Sequence, residues 1–177
     1  MKNEIGKAAT IDLAEMLDLW DELRYPHNAI AQLAYWTGSR LGEVLPLSSE
    51  CDRGKTILIY QKKVKRAKEI PVQEKLRALI DTLPTEGYWF PSRDGNRHIS
   101  FHAFNKELVR AVELLGWQRW GIRTHTFRRS RATHLHQQGI PHKVIMRLTG
   151  HTTLASFERY LDADLDDLAG ALEAIGG

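Results

Sequence analysis

The chain has 177 residues, a length typical of a single domain with a substantial core, and its composition is that of an ordinary globular protein. A single cysteine, Cys51, excludes an internal disulfide and fits a reducing compartment. The first ten residues lack the apolar stretch of a secretory signal, and no apolar run approaches the ~20 residues that cross a bilayer. We therefore expect a cytoplasmic protein with no membrane partner.

The net charge of +3 is unevenly distributed along the chain. The tail after Tyr160 carries five acidic residues and no lysine or arginine, which leaves a net charge of +8 on the residues up to that point. Five of the eight residues in 61–68 are Lys or Arg, and four arginines crowd residues 123–131. Such concentrations of positive charge favour a polyanionic partner, most simply nucleic acid. Two clusters of solvated surface residues would explain the charge alone equally well.

Apolar periodicity predicts two helices in the first 40 residues. The first spans residues 10–24 with Thr10 as its N-cap, and the second begins near Pro26 and ends at Gly38. The predicted inner face of the first helix consists of Ile11, Leu13, Leu17, Trp20 and Leu23.

A short segment that begins at Arg40 follows the second helix. Arg40 and Glu43 lie three residues apart, so they share one face if the segment is helical. An exposed ion pair of this kind contributes under about 1 kcal/mol. Its position just after a glycine-terminated helix favours a different interpretation, in which Arg40 is aimed rigidly into a cleft and Glu43 orients it.

Residues 54–72 change to the pattern of β-structure. Residues 56–60 are β-branched and aromatic, and a second short strand over 69–72 contains Pro71, which suits a sheet edge. The basic run lies between the two strands, so we predict a hairpin with a lysine-rich tip. Such a tip can enter a DNA groove, and the alternative is an edge whose lysines prevent aggregation.

The remainder of the chain is predicted to be mainly helical. The predicted helices are 73–83, one from Ser100 to Leu115, one capped by Thr124 or Thr126, one from a turn at 138–141 to Gly150, one capped by Thr152 or Thr153, and a last one over 165–175. We interpret Trp117 and Trp120 as core residues rather than as a platform for bases. The predicted fold class is therefore mainly α with a small antiparallel β-hairpin (α+β).

Several side chains of the C-terminal third suit phosphate chemistry. His125 and Arg128 lie three residues apart near a predicted helix start, His151 follows Gly150, and Tyr160 lies nine residues beyond His151. Arginine guanidinium groups donate paired hydrogen bonds to phosphate oxygens, imidazoles exchange protons, and a tyrosine hydroxyl can attack phosphorus. Taken one at a time, the histidines and the tyrosine are as readily explained as core or capping residues.

Four stretches together resemble the catalytic domain of the tyrosine recombinases, the phage integrase family. They are A-Y-W-T-G-S-R-L-G-E-V-L-P-L over 34–47, the lysine hairpin that ends in I-P-V, H-T-F-R over 125–128, and T-G-H-T-T-L-A-S-F-E-R-Y over 149–160. No single stretch is specific, but their order and separation are. The resemblance implies the fold of the DNA breaking-rejoining enzymes, in a single catalytic domain over 1–177 with a core of residues 10–161.

The resemblance also implies a role for each matched residue. Tyr160 corresponds to the nucleophile that cleaves a DNA strand, forms a 3′-phosphotyrosyl bond and frees a 5′-hydroxyl. Attack by a new 5′-hydroxyl on this bond later rejoins the DNA. Arg40 and Arg128 correspond to the arginines that hold the phosphate, and Glu43 corresponds to the acidic residue that supports the first of them.

The proton-transfer roles fall on two histidines and one lysine. His125 is expected to assist proton movement at the nucleophile, and His151 is expected to hydrogen-bond the phosphate. Counting back from the proline of the hairpin favours Lys63 as the general acid for the leaving oxygen, with Lys62 and Lys65 as rivals.

The basic residues that surround these positions are assigned to DNA binding. They are Lys62, Lys65, Arg66, Lys68, Arg129 and Arg131. The covalent intermediate stores the phosphodiester energy, so no ATP is needed, and the arginines supply the charge of a metal, so no cofactor is expected. His98 with His102, and His134 with His136, lack a carboxylate or thiol partner at ligand spacing, so no metal site is predicted.

The resemblance implies double-stranded DNA as the partner and a location in the cytoplasm, associated with the nucleoid. Two duplexes that exchange strands need four active sites, hence a homotetramer on DNA. The family usually has a separate helical DNA-binding domain before the catalytic one, and we expect that domain to be missing from this chain. The acidic segment 162–177 is expected to form a linker and a helix that packs on its own domain or on a neighbouring copy.

Three other functions stay open from the sequence. A non-catalytic helix-turn-helix regulator would use residues 127–149, with His142, Lys143 and Arg147 facing a groove, but it leaves Arg40 and the hairpin without a role. A type IB topoisomerase would share the chemistry and act as a monomer. An integrase remnant would retain binding alone, although the full set of reactive side chains argues against decay.

Overall fold

The computed structural model describes residues 8–62 and 65–158, which form eight α-helices and one antiparallel sheet of two strands. In chain order the elements are α1 (Leu13–Glu22), α2 (His27–Trp36), α3 (Leu41–Val44), β1 (Thr56–Gln61), β2 (Arg66–Pro71), α4 (Glu74–Ile80), α5 (Phe101–Leu114), α6 (Thr126–Gln137), α7 (His142–Thr149) and α8 (Leu154–Glu158). The predicted mainly helical fold with one small hairpin is confirmed. The predictions for Lys63, Tyr160 and the tail 162–177 lie outside the described residues.

Helix α2 lies at the centre of the main core. Six of its ten residues are buried, and it contacts α1, α3, α4, α5 and α6. A helix that is apolar on most of its circumference is stable only when other elements surround it. Trp20 of α1 packs edge-on against Tyr35 of α2, with ring centroids 5.3 Å apart. Because α2 is held on several sides, the segment that leaves its C-terminal end has a fixed position.

Helix α1 begins two residues later than predicted, and its buried face differs. Asp12, not Thr10, is the N-cap: its carboxylate accepts from the backbone N–H of Glu15 at 2.9 Å, and the Glu15 carboxylate accepts from the N–H of Asp12 at 2.8 Å. This capping box fixes where the helix begins. Leu13 and Leu17 are exposed, against the prediction, and the buried residues of the helix are Met16, Leu19 and Trp20.

The two strands form the predicted hairpin, but β2 begins at Arg66 rather than near residue 69. Thr56 lies opposite Pro71 and Gln61 opposite Arg66. Alternate residues point to opposite faces of a strand, and on β2 the inward positions are Lys68 and Ile70. A lysine therefore occupies a position that the pleat directs into the protein.

Helices α6, α7 and α8 share a second, smaller core. Ala132, Ile145 and Phe157 are fully buried there, one from each helix. Trp117 and Trp120 stack on each other at 4.5 Å and pack against the main core. No helix within residues 8–62 and 65–158 is long and apolar enough to cross a membrane.

Candidate active site

The first site residue, Arg40, occupies the start of α3. The chain leaves α2 through Thr37 and turns at Gly38, whose φ of +58° is the left-handed conformation that glycine adopts readily. Arg40 is the N-cap of α3, and its Nη1 donates to Oε1 of Glu43 at 2.9 Å. Glu43 is only 5% exposed, and its Oε2 also accepts from the backbone N–H of Arg40 at 3.1 Å. Glu43 thus fixes both the backbone and the guanidinium of Arg40, whose side chain stays 28% exposed.

Arg128 lies in the first turn of α6 with its guanidinium inside the protein. It is only 1% exposed, and its Nη1 donates to the carbonyl oxygen of Gly38 at 3.1 Å. Its Nη2 lies 3.3 Å from Nε2 of His151. A buried guanidinium needs acceptors for its fixed fork of donors. These two contacts join α6 to the turn before Arg40 and to the segment after α7.

The hydrogen bonds of Thr149 fix the tautomer of His151. The Thr149 hydroxyl lies 2.8 Å from the carbonyl oxygen of Ile145 and 2.8 Å from Nδ1 of His151. The carbonyl can only accept, so the single hydroxyl proton points to Ile145, and Nδ1–H of His151 must donate to the hydroxyl oxygen. Nε2 of His151 is then unprotonated and accepts from Arg128.

His151 is neutral because its pKa is lowered to about 3. Burial is the largest cause, followed by the positive charges of Arg128, Arg40 and Lys68. His125, the N-cap of α6, is exposed, and crowding by protein atoms together with the charges of Arg128 and Arg40 lowers its pKa as well. Both imidazoles therefore face an excess of positive charge.

The hairpin carries three exposed basic residues toward solvent. Lys62, Lys65 and Arg66 are exposed, and Lys65 has a φ of +50° at the turn. Their predicted role in DNA binding is compatible with this placement. Lys63, the predicted general acid, lies outside the described residues, so its choice over Lys62 and Lys65 stays a prediction.

Lys68 differs from the prediction that it binds DNA from the surface. It is 8% exposed, and its Nζ donates to the carbonyl oxygens of Leu148 at 2.7 Å and Thr37 at 3.2 Å. Burial lowers its pKa to about 7: the charge of Glu43 opposes this shift, and those of Arg128 and Arg40 add to it. The inward pleat of β2 places this ammonium beside the other site residues instead of on the hairpin surface.

Arg129 differs from its predicted role as a surface DNA contact. It is 4% exposed and donates through Nη1 to the carbonyl oxygen of Ala8. Arg131 is half-buried, and its guanidinium lies over the rings of Tyr35 and Trp36, at 5.3 and 5.1 Å from their centroids. Both arginines connect α6 to other segments of the chain, and a DNA contact by Arg131 stays a prediction.

The segment before Tyr160 packs on the site. Phe157 of α8 is fully buried, and its ring centroid lies 5.6 Å from that of His151 and 5.4 Å from that of His142. Phe157 precedes Tyr160 by three residues in the sequence. The position of Tyr160 itself lies outside the described residues.

An open groove of about 440 Å³ borders His151. Its other lining residues are Arg66, His142, Lys143, Met146, Arg147 and Leu154. Three of these are basic and none is acidic, so the groove suits an anionic ligand. Within the described ranges, no group of three or more His, Cys, Asp or Glu residues is placed to hold a metal ion.

Sequence reasoning missed two residues of the site, Gln61 and Thr149. Gln61 ends β1 fully buried, and both polar atoms of its amide lie without a hydrogen-bond partner among the described residues. It packs directly under Gly150. Thr149 sets the tautomer of His151. A hydroxyl residue before the Gly-His pair was the only sequence signal for Thr149, and Gln61 gave none.

Replacement of Gly150 by alanine is expected to destabilise the protein more than the same change at Gly139. Both glycines have left-handed φ values, +73° and +74°, so each alanine costs about 1–2 kcal/mol from the backbone alone. A Cβ at Gly150 would also collide with the Gln61 amide, whereas a Cβ at Gly139 meets open space. We expect about 1 kcal/mol of further loss for Gly150→Ala, the lower end of the overpacking range, because the colliding atoms are the end of a flexible but buried side chain. Urea unfolding measures both losses.

The second change Gln61→Ala provides the control for this prediction. In the Gly150→Ala chain it should recover part of the extra loss, since it removes the atoms in collision. Equal losses at Gly150 and Gly139 would contradict the close packing of Gln61 on Gly150.

The described residues form a partly buried site with an excess of positive charge. Two guanidiniums and one ammonium face a single carboxylate, Glu43, and two imidazoles with lowered pKa values lie beside them. This excess of positive charge in a partly buried place is balanced when an anion binds.

The family of the chain follows from its sequence. The profile of the phage integrase family matches residues 10–166, and the chain therefore belongs to this family. The tyrosine recombinase XerC of Haemophilus influenzae (strain 86-028NP) is 30% identical over 185 residues, which cover 94% of this chain and 57% of XerC. The chain thus spans a little over half the length of that relative.

Solved structures share the fold. The XerH site-specific recombinase, in a post-cleavage complex with a palindromic difH substrate, superposes with a TM-score of 0.78 at 18% identity, covering 100% of this chain and 56% of XerH. The catalytic domain of bacteriophage HP1 integrase gives a TM-score of 0.65 at 21% identity, covering 93% of this chain and 95% of that domain. The chain therefore has the catalytic-domain fold of the tyrosine recombinases.

Proposed function

We propose that this chain is the catalytic domain of a site-specific DNA recombinase that cleaves and rejoins DNA through Tyr160. The observation that carries the proposal is the convergence of Arg40, Arg128 and His151. Glu43 holds Arg40, and Arg128 contacts both His151 and the carbonyl oxygen of Gly38, two residues before Arg40. These residues come from three separate parts of the chain. Family membership and the likeness to a recombinase crystallised with its DNA substrate support the same conclusion.

In the proposed reaction the Tyr160 hydroxyl attacks a backbone phosphorus, and the bond to the 5′-oxygen breaks. The products are a 3′-phosphotyrosyl linkage and a 5′-hydroxyl, so the bond energy is kept in the covalent intermediate. Arg40 and Arg128 hold the non-bridging oxygens as negative charge builds, Lys63 protonates the leaving oxygen, and His125 accepts the tyrosine proton. Attack by a 5′-hydroxyl of another strand reverses these steps and completes the exchange.

The tautomer of His151 predicts how its protonation changes when a phosphate binds. In the free protein Nε2 accepts from Arg128, so it has no proton to give to a phosphate. A bound phosphate offers Arg128 a better acceptor and raises the pKa of His151 by its negative charge. His151 can then take up a proton at Nε2 and donate it to a phosphate oxygen.

The proposed partner is double-stranded DNA. The exposed hairpin residues Lys62, Lys65 and Arg66 would contact phosphates, which fix register without reading sequence. Exchange between two duplexes requires four active sites, so the working assembly is a homotetramer on DNA. We place this activity in the cytoplasm, on nucleoid DNA.

A purely DNA-binding regulator is a weaker explanation of the same residues. Helices α6 and α7 are joined by a turn at Gly139, as in a helix-turn-helix. However, Arg128 of α6 is buried and contacts His151 instead of facing solvent. A regulator has no use for this arrangement, and a type IB topoisomerase is less favoured because the relatives are recombinases.

A covalent-adduct assay tests the proposal. Nicked duplexes that tile the DNA beside the gene are incubated with the protein without metal or ATP, and a cleaved strand loses the short fragment beyond the nick. We expect a protein–DNA adduct on a denaturing gel and a 5′-end that a kinase labels without prior phosphatase treatment. Stable binding to a tile with no adduct on any tile would contradict the proposal and favour the regulator.

A further inference from the structure

Lys68 is a buried charged residue that the proposed chemistry does not use. It lies on β2 opposite Ile59, with its side chain on the inward face of the hairpin beside the buried Ile70. Its neighbour Arg66 is exposed on the same strand. A lysine is rarely buried to this extent without a specific set of acceptors.

The acceptors of Lys68 are carbonyl groups at the ends of two helices. Thr37 is the C-cap of α2, and Leu148 lies in the last turn of α7. Carbonyls at helix C-termini lack partners within the helix and carry partial negative charge, so an ammonium with several donors suits them. Lys68 therefore binds two helix ends at once.

Each of these helix ends leads directly into a site residue. Thr37 precedes Arg40 by three residues, and Leu148 precedes His151 by three residues. The two segments also touch, since a Cβ added to Gly38 would lie 3.2 Å from Cγ of Leu148. Lys68 thus joins the segment that carries Arg40 to the segment that carries His151.

Four charged or titratable groups act on Lys68 or feel its charge. Glu43 of α3 favours the ammonium, whereas Arg40 and Arg128 disfavour it, and the charge of Lys68 in turn lowers the pKa of His151. A charge kept in such surroundings has a cost in stability that an apolar side chain of similar length avoids. Packing alone therefore does not explain a lysine at this position.

We propose that Lys68 is a positioning residue for strand cleavage, which sets the spacing of Arg40 and His151 so that both contact one phosphate. Lys68 itself makes no contact with DNA. This inference rests on the proposed function. Because small displacements of groups that hold a reacting centre lower rates by one to two orders of magnitude, cleavage should be sensitive to this residue when affinity is not.

The test measures DNA affinity and cleavage separately for Lys68→Met and Lys68→Arg, on the nicked duplex that reacts with the unaltered chain. We expect Lys68→Met to lower the single-turnover rate at saturating DNA by about 10- to 100-fold. Affinity and its salt dependence should stay within about twofold, since no phosphate contact is lost. Lys68→Arg keeps a positive donor group and should recover much of the rate.

Two other variants calibrate these measurements. Arg66→Met removes an exposed basic residue of the same strand, and it should weaken binding and reduce the salt dependence by about one counterion. Lys106→Met makes the same chemical change as Lys68→Met at an exposed position on α5, and it should alter neither quantity.

Urea unfolding at several pH values shows whether the charge of Lys68 is buried as described. The pKa of Lys68 is about 7 in the folded protein and near its ordinary 10.5 in the unfolded chain. Between these values only the unfolded chain holds the proton, so stability rises with pH above 7. Relative to Lys68→Met, the urea midpoint of the unaltered chain should therefore increase from pH 7 to pH 9, and at pH 6 the variant should be at least as stable.

Distinct results would overturn the inference. If Lys68→Met cleaves at the unaltered rate, Lys68 has no positioning role. If Lys68→Met instead loses affinity and salt dependence as Arg66→Met does, Lys68 is a DNA contact. If Lys68→Met does not fold, Lys68→Arg decides: unchanged affinity with near-normal cleavage supports the role, and weakened affinity overturns it. Absence of cleavage by the unaltered chain would instead contradict the proposed function, on which this inference depends.

Discussion

Replacement of Tyr160 with phenylalanine is expected to abolish the covalent protein–DNA adduct completely while leaving DNA affinity unchanged. The phenylalanine ring keeps the shape of the side chain and loses only the oxygen that would attack phosphorus. The phenylalanine side chain has no group that can form the linkage. Adduct formation is measured on the reactive nicked duplex by denaturing gel, and affinity is measured on the same duplex under native conditions.

Exposed tyrosines elsewhere on the chain provide matched controls. Tyr25 and Tyr60 are 64% and 55% exposed, and Tyr25→Phe or Tyr60→Phe removes the same hydroxyl group at another place. Both variants should form the adduct at the unaltered rate. If Tyr160→Phe retained the adduct, the nucleophile would be another residue and the proposed mechanism would be wrong.

Arg128→Lys is expected to lower the rate of strand cleavage by about 10²–10³-fold, the usual effect of losing one preorganised donor to a developing negative charge. The guanidinium is buried between Gly38 and His151, and its fork reaches both at once. An ammonium is a compact donor without this planar geometry, so it cannot hold both partners and a phosphate oxygen. Single-turnover cleavage at saturating DNA measures the loss.

The matched control for this prediction is Arg66→Lys, which makes the same change at an exposed position of the hairpin. It keeps the charge near DNA and should change affinity only slightly, since phosphate contacts at the surface depend mainly on charge. Urea unfolding checks separately that Arg128→Lys is folded at the assay temperature. Cleavage by Arg128→Lys within about threefold of the unaltered rate would contradict a role for the guanidinium fork.

The order of the elements could be predicted from the sequence because local patterns determine it. Three kinds of local signal correspond to observed boundaries: the β-branched and aromatic run in 56–60, the N-cap at Ser100, and the glycines at Gly38 and Gly150. Ser100 accepts from the N–H of Ala103 as an N-cap should. Element boundaries that depend on residues within one helical turn or one strand can therefore be predicted from the sequence.

The direction in which side chains face was less predictable. Leu13 and Leu17 fit an apolar stripe, but Met16 and Leu19 of α1 face the core instead. Val144, an apolar residue of α7, is likewise 55% exposed. An amphipathic pattern with more apolar residues than one face can hold leaves the choice to tertiary packing.

Three members of the candidate site, Arg40, Arg128 and His151, could be named from the sequence, but the contacts of the basic residues around them could not. Lys68, Arg129 and Arg131 were all assigned to DNA because they lie in basic clusters. In the structure Lys68 joins two helix ends, Arg129 donates to the carbonyl oxygen of Ala8, and Arg131 lies over aromatic rings. Charge in a sequence does not distinguish a solvated residue from a buried one, since burial depends on the pleat and on contacts with distant segments.

The measurement that tests the proposed function most directly is identification of the amino acid that carries DNA in the adduct. The adduct is digested with nuclease and protease, and tandem mass spectrometry locates the residue that retains a nucleotide. We expect a peptide in which Tyr160 is joined through its phenolic oxygen to the 3′-phosphate of one nucleotide. A nucleotide on any other residue, or a linkage through a 5′-phosphate, would contradict the proposed function.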